Sequence, residues 1–356
     1  IASCLVGSEM CIRDSLQPAL SPRHAALPRA GAVPERNIAG PLVGLPPERS
    51  HRLNAMKPSD MSNKDRIAIE MGHAGRNTIA YIDEDRNSDR PFKLQTYRPY
   101  GYTPDRPVVI VQHGVLRNGD EYRDFWVEAA DKHKLLIVAL TFSNEIWPGV
   151  ESYNNGRVFS AGGNPRHIDG WTYALVGNVI RDMIDGEITD GQNIYLFGHS
   201  AGGQFVHRLM SSQSHAPFKA VAAGNPGWYT LPTFDYPFPE GMDGVGLTEE
   251  HLVKLLAYPM MIMAGDQDIA TDDPNLPSEP AAMRQGPHRF ARAHNYFEAG
   301  RKEAERRGVP FNWTLQVVPG IGHDGRAMSA VCASLWFDGR MPDDAELARL
   351  AGQQVA

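Results

Sequence analysis

Gly198-His199-Ser200-Ala201-Gly202-Gly203 follows the apolar run Ile194-Tyr195-Leu196-Phe197. A short apolar run bounded by glycines predicts a buried strand. The residues after it, Gln204-Phe205-Val206-His207-Arg208-Leu209-Met210, have the composition of a buried helix. A serine at the tip of so sharp a strand-turn-helix connection sits in a strained backbone conformation. Side chains at Gly198 and Gly202 would collide with the neighbouring strand and helix. The turn lifts the hydroxyl clear of the sheet and aims the Ala201 N–H at whatever the serine attacks, with the positive end of the helix behind it. In this context Ser200 reads as a nucleophile rather than as an ordinary turn residue.

Working outward, 356 residues are enough for one large or two small domains with a sizeable core. A hydrophobic content of 42% and a charged content of 22% are those of a globular chain. The net charge of −7 gives no general surface for a polyanion, so no nucleic-acid partner is expected. No apolar stretch approaches the roughly 20 residues that cross a bilayer, so a soluble protein without a membrane span is expected. Pro18, Pro22, Pro28, Pro34, Pro41, Pro46, Pro47 and Pro58 interrupt every stretch of the first sixty residues that could become a helix. The opening Cys4-Leu5-Val6-Gly7-Ser8-Glu9-Met10-Cys11-Ile12-Arg13-Asp14-Ser15 resembles a translated sequencing-adapter fragment, with Met56, Met61 or Met71 as the expected start. A trimmed signal peptide with a lipidated Cys4 is the rival reading, but the charged and apolar regions of one are missing. Beyond that segment Cys332 stands alone, so no internal disulfide is expected.

From Asn77 the pattern becomes periodic. Thr78–Ile82 and Phe92–Tyr97 read as an antiparallel hairpin around an acidic loop. Val108–Gln112, Leu135–Leu140, Lys219–Ala223, Pro259–Ala264 and Trp313–Val318 read as buried strands. Phe125–His133, Trp171–Met183, Glu249–Leu256 and Arg289–Arg307 read as helices between them. Strands alternating with helices predict the α/β class, a doubly wound, mostly parallel sheet with helices on both faces. Residues 1–76 are expected to be a disordered or artefactual arm, 77–345 a single catalytic domain and 346–356 a C-terminal tail.

Reactive residues collect at the predicted carboxyl ends of these strands, where such sheets place their sites. Val108–Gln112 runs into His113-Gly114-Val115-Leu116, and the glycine lets the Val115 N–H turn toward the serine. Paired with Ala201 N–H, it would make a two-donor oxyanion hole. Pro259–Ala264 runs into Gly265-Asp266-Gln267-Asp268, where a carboxylate could steady a histidine that becomes cationic. Asp266, Asp268, Asp272 and Asp273 all compete for that role. Trp313–Val318 runs into Pro319-Gly320-Ile321-Gly322-His323-Asp324-Gly325. Of thirteen histidines, His323 is singled out as general base by its glycine-flanked place after the last strand. His113 is read as a hydrogen-bonder rather than a catalyst. Substrate contacts are assigned to His113, Leu116, His199, Trp228 and Tyr229. The last two belong to Asn225–Pro239, where five aromatics and four prolines would form either a rigid apolar wall or a cluster packed under itself. Phe142–Pro165, with Trp147, Tyr153 and Phe159, is a second insertion that could serve as a lid. Neither segment clusters Lys or Arg, so no anchor for an anionic substrate is evident.

With Ser200, an acid and His323 in that order, the stretch from about Pro91 to Phe337 resembles an α/β-hydrolase. The resemblance implies Asp268 as the acid, three residues after the glycine that ends its strand. Val111-Gln112-His113-Gly114, with Asn118, Tyr122 and Arg123 behind it, and Gly198–Gly203 are similar to polyhydroxyalkanoate depolymerase and feruloyl esterase-like members. The cysteines of secreted members are missing, Val115 standing where one is often found, which weakens the case for a polymer over a small ester. A serine esterase acting through an acyl-enzyme is therefore expected, without metal or organic cofactor. A serine peptidase or amidase of the same fold, and a non-catalytic hydrolase-like binding protein, are the alternatives. A metal hydrolase is disfavoured because no H-E-x-x-H pattern occurs.

Overall fold

The computed structural model describes residues 61–212 and 218–352. Eight strands form one sheet: β1 (Gly75–Tyr81), β2 (Phe92–Arg98), β3 (Val108–Gln112), β4 (Leu136–Thr141), β5 (Ile194–His199), β6 (Phe218–Gly224), β7 (Met260–Gly265) and β8 (Thr314–Val318). Their order is β1-β2-β4-β3-β5-β6-β7-β8. The β1–β2 hairpin and the β2–β4 pair are antiparallel, and every other pair is parallel. The expected doubly wound sheet is present.

Every residue of β3 is buried, because both faces of the sheet are covered. Alternate side chains feed two cores. Val108 and Ile110 join one with Leu136, Val138 and Leu140, whereas Val109 and Val111 join the other with Ile137 and Ala139. Helices Ala174–Asp185, Ala201–Ser212, Glu249–Ala257 and Arg289–Arg307 supply buried residues to the first core, and Gly325–Ala333 and Asp344–Gly352 to the second. Among the described residues no helix is long and apolar enough to cross a membrane.

The fold extends past both expected boundaries. Residues 1–60 lie outside the described residues, but the segment assigned to an arm, 1–76, includes a folded helix at Asn63–Glu70. Ser62 caps it, and Ile67 and Met71 are buried. The expected tail, 346–356, begins inside the helix Asp344–Gly352, which buries Leu347 and Leu350. Cys332 is buried and free. The helix expected at Phe125–His133 begins two residues later, at Val127. Gly119–Asp124 and Val127–His133 flank Trp126, which is fully buried against Phe197 and Trp336.

β5 lies between β3 and β6 and delivers Ser200 directly into the helix Ala201–Ser212. Ser200 has φ 58°, and its N–H donates to the Gly224 carbonyl at 2.9 Å. Glycine is required on each side. A Cβ on Gly198 would strike the Gly202 backbone and Val206 Cγ2, and one on Gly202 would strike the Gln112 and His113 carbonyls. Gly202→Ala should lower stability by about 1–3 kcal/mol through overpacking. Gly177→Ala, at a mid-helix site with nothing within 4 Å of the new Cβ, should raise it by about 0.5–1 kcal/mol. Urea midpoints of the two variants against wild type test this pair of opposite signs.

Candidate active site

Ser200 Oγ lies 3.0 Å from His323 Nε2, and His323 Nδ1 lies 2.7 Å from Asp268 Oδ2. The Asp268 side chain is 2% exposed and that of His323 27%, so the carboxylate is sealed and the imidazole is partly open. The donor to the carboxylate must be Nδ1–H, which leaves the Nε2 lone pair facing the serine hydroxyl.

Each member is held by the loop that carries it. Asp324 caps the helix Gly325–Ala333 by accepting from Ala327 N–H at 2.8 Å, which fixes the backbone just after His323. Asn225, at the end of β6, accepts from Gly265 N–H at 2.9 Å and donates through Nδ2 to the Gly322 carbonyl at 3.0 Å. One side chain thus ties the Asp268 loop to the His323 loop. Asp268 also faces buried Arg289, whose Nη1 is 3.5 Å from Oδ1 and 2.7 Å from Asp273 Oδ2. Asp266 has a different place. It accepts from Gly320 N–H at 2.8 Å and braces the turn after β8.

Ser200 opens into a cleft of about 340 Å³ lined by Val115, Ala201, Gln204, Trp228, Asn154 and Leu276 among others. Ala201 is the first residue of its helix, so its N–H has no intrahelical acceptor. Val115, its expected partner donor, lines the same cleft.

Of the residues assigned to substrate contact, Trp228 lines the cleft and the other four do not. His113 is fully buried. Its Nε2 accepts from Phe142 N–H at 3.2 Å, its Nδ1 donates to the Gly114 carbonyl at 2.9 Å, and its ring stacks on Tyr153. Burial pushes its pKa down to about 3, so it is a neutral structural residue. His199 is buried beside His323, with Nδ1 bonded to Tyr122 Oη at 2.9 Å and its ring 4.7 Å from that of His323. Burial, with His323 and Arg289 nearby, holds it well below the usual histidine range. Tyr229 is sealed in a stack on Tyr296. Leu116 is 80% exposed and lies outside the cleft lining.

The two insertions divide their aromatics between core and surface. In Asn225–Pro239, Trp228 forms cleft wall, while Tyr229 and Phe238 are buried. In the other, Trp147 and Tyr153 are fully buried, and Tyr153 Oη donates to the His113 carbonyl at 2.7 Å, so the segment is anchored in the core. A larger cavity, about 600 Å³, lies beside it and brings together Arg90, Arg157 and Arg166, a cluster that sequence separation conceals. It contains none of Ser200, Asp268 or His323.

Sequence reasoning missed Gln204, Arg208, Asn225 and Arg289. Gln204 and Arg208 follow Ser200 at intervals of four, the spacing that stacks side chains on one helix face, and that signal was available. Asn225 and Arg289 had none, since each acts across loops far apart in the chain.

No protein-family model matches the chain, and no curated protein matches it. Solved structures do. LpqC, a poly(3-hydroxybutyrate) depolymerase from Bordetella parapertussis, is 76% identical, covers 83% of this chain and 100% of its own, and superposes with a TM-score of 0.82. Poly(aspartic acid) hydrolase-1 from Sphingomonas sp. KT-1 is 30% identical over 74% of this chain and 98% of its own, with a TM-score of 0.71. With identity and coverage of that order added to the sheet and the serine turn, the chain belongs to the α/β-hydrolase superfamily, among the poly(3-hydroxybutyrate) depolymerase- and esterase-like enzymes.

Proposed function

We propose that this protein cleaves carboxylic esters with Ser200 as nucleophile, His323 as general base and acid, and Asp268 as the carboxylate that orients and stabilises His323. The observation that carries the reading is the continuous hydrogen-bonded chain from Ser200 Oγ through His323 to Asp268, at 3.0 and 2.7 Å. His323 Nε2 takes the serine proton as Oγ attacks the ester carbonyl, and the imidazolium so formed is stabilised by the buried Asp268. The Val115 and Ala201 N–H groups receive the developing oxyanion. Collapse of the tetrahedral intermediate expels the alcohol, which His323 protonates. Water then attacks the acyl-enzyme through the same base, and the acid leaves as Ser200 recovers its proton.

The relative from Bordetella is named for a polyester of hydroxy acids, which supports short hydroxyacyl esters as the first class to assay. Trp228 and Leu276 supply apolar wall for an acyl group of that size. Amide cleavage is the second reading, favoured by the relative from Sphingomonas, whose named substrate is a polyamide. A matched ester and amide of one acid separate the two readings.

Two predictions follow from the roles. A fluorophosphonate probe should add once to the wild type by intact mass and not to Ser200→Ala, and the variant should retain its melting temperature while turnover falls by roughly 10⁶. Labelling of Ser200→Ala to the same extent would remove the assignment of the nucleophile. Asp268→Asn should lower kcat by roughly 10³–10⁴ by forcing the wrong histidine tautomer. Asp266→Asn, which touches the Gly320 turn instead, should cost less than about tenfold and appear mainly as lost stability. The reverse order would mean that the other carboxylate serves His323.

A further inference from the structure

The chemistry above uses one wall of the cleft and leaves another unexplained. That wall is built on a buried cation. Arg208 is fully enclosed. Among the described residues no carboxylate pairs with it. Its partners are neutral oxygens: Thr230 Oγ1 at 2.9 Å from Nε, and the Asn154 carbonyl, Asn155 Oδ1 and Gln204 Oε1 at 3.0, 2.7 and 3.1 Å from Nη1. Burial pushes the guanidinium down to about 10, which leaves it charged at neutral pH.

An arginine only donates, so this contact fixes the Gln204 amide with Oε1 turned inward. Asn154 Nδ2 donates to the same oxygen at 3.0 Å. Nε2 therefore faces the other way, and among the described residues it has no acceptor. Gln204 is 7% exposed and lines the same cleft as Ser200, one helical turn further along. A Cβ placed on Gly227 would come within 3.2 Å of Nε2, which puts the amide beneath the Gly227-Trp228 turn. Nε2, which has no acceptor among the described residues, opens to the cleft, where solvent or a substrate oxygen accepts from it.

We propose that Gln204 is a specificity-determining residue whose Nε2 donates to an acceptor oxygen, carbonyl or carboxylate, that the substrate carries beyond its scissile ester, with Arg208 and Asn154 as the residues that position it. The proposal rests on the ester-hydrolase reading and narrows it to esters with a second oxygen acceptor. Simple alkyl esters leave the donor unused.

The test is a set of ethyl esters matched in chain length, followed by pH-stat: ethyl pentanoate, ethyl 4-oxopentanoate and monoethyl glutarate. The wild type should favour one or both acceptor-bearing esters over the pentanoate by about tenfold in kcat/KM. A preference for the ketone alone identifies a neutral carbonyl, and one for the glutarate identifies a carboxylate. Gln204→Met should bring the ratio to about one. Gln204→Glu still accepts from Arg208 and Asn154, so the buried cation stays partnered and the fold is protected, yet it presents an acceptor where a donor stood. Its ratio should fall to one or below, most of all for the glutarate. The readout is a ratio, which general loss of structure does not move. Equal rates on all three esters in the wild type, or a preference retained in either variant, overturns the proposal and leaves the ester reading intact. No hydrolysis of any of the three by folded wild type overturns both.

Discussion

The structure depends on how closely the backbone at the end of β5 approaches its neighbours. Ser200 adopts a left-handed conformation at a cost of about 1–2 kcal/mol. The conformation persists because the Gly224 carbonyl holds the serine N–H from one side, while on the other Gly202, without a Cβ, leaves room for the Gln112 and His113 carbonyls at the end of β3. Three neighbouring strands therefore fix one backbone angle. The Oγ position, the start of the helix at Ala201 and the direction of its N–H all follow from that angle. A parallel central sheet is the means of doing this, since it brings the carboxyl ends of β3, β5, β6, β7 and β8 to one edge.

Placement of Asp268 and His323 is a separate problem, because both sit in loops, where backbone freedom is greatest. The structure solves it with cross-links between loops. Asn225 holds the Asp268 and His323 loops together, Asp266 braces the turn that precedes His323, and Asp324 pins the residue that follows it by capping a helix. Hydrogen bonds of this kind contribute only about 1 kcal/mol each to stability. Their larger effect is geometric, since a base displaced by an ångström loses its contact with the serine. The neutral, sealed state of His199 serves the same end. An imidazolium charge there would oppose the one that His323 carries in the proposed mechanism.

Much of this was legible in the sequence. The strands were, because runs buried on both faces leave little ambiguity, and Val108–Gln112 and Arg289–Arg307 form an element with those very ends. The helix Asn63–Glu70 was not. It is short, carries Lys64, Asp65, Arg66 and Glu70, and is held by a contact with Ala174–Asp185 a hundred residues away. The meeting of Ser200, Asp268 and His323 was legible because chain order and strand ends locate them. The substrate contacts were not, because closeness in sequence says nothing of side-chain direction. His199 precedes Ser200 by one residue, but it ends β5 while Ser200 sits on the left-handed turn after it, so one meets Tyr122 and the other the cleft. Tyr229 and Trp228 divide in the same way between core and cleft.

Arg208 shows why a polar wall persists in a core that is otherwise apolar. A buried guanidinium without a carboxylate is unfavourable to desolvate, and an aliphatic side chain of similar volume would serve stability as well or better. Four neutral oxygens satisfy Nε and Nη1, but Nη2 has no partner among the described residues, so stability alone does not account for the arrangement. What the arginine does that an aliphatic residue would not is orient its neighbours. Its donors fix Asn154, Asn155 and Gln204 at once, and all three line the space in front of Ser200. Ser200, Gln204 and Arg208 then form a column on one helix face, with the serine hydroxyl at the mouth, a donor amide one turn in and a fixed charge beneath. Sequences that are locally consistent with a fold break the rules of burial mostly where a site demands it, and here the exception lies two helical turns below Ser200.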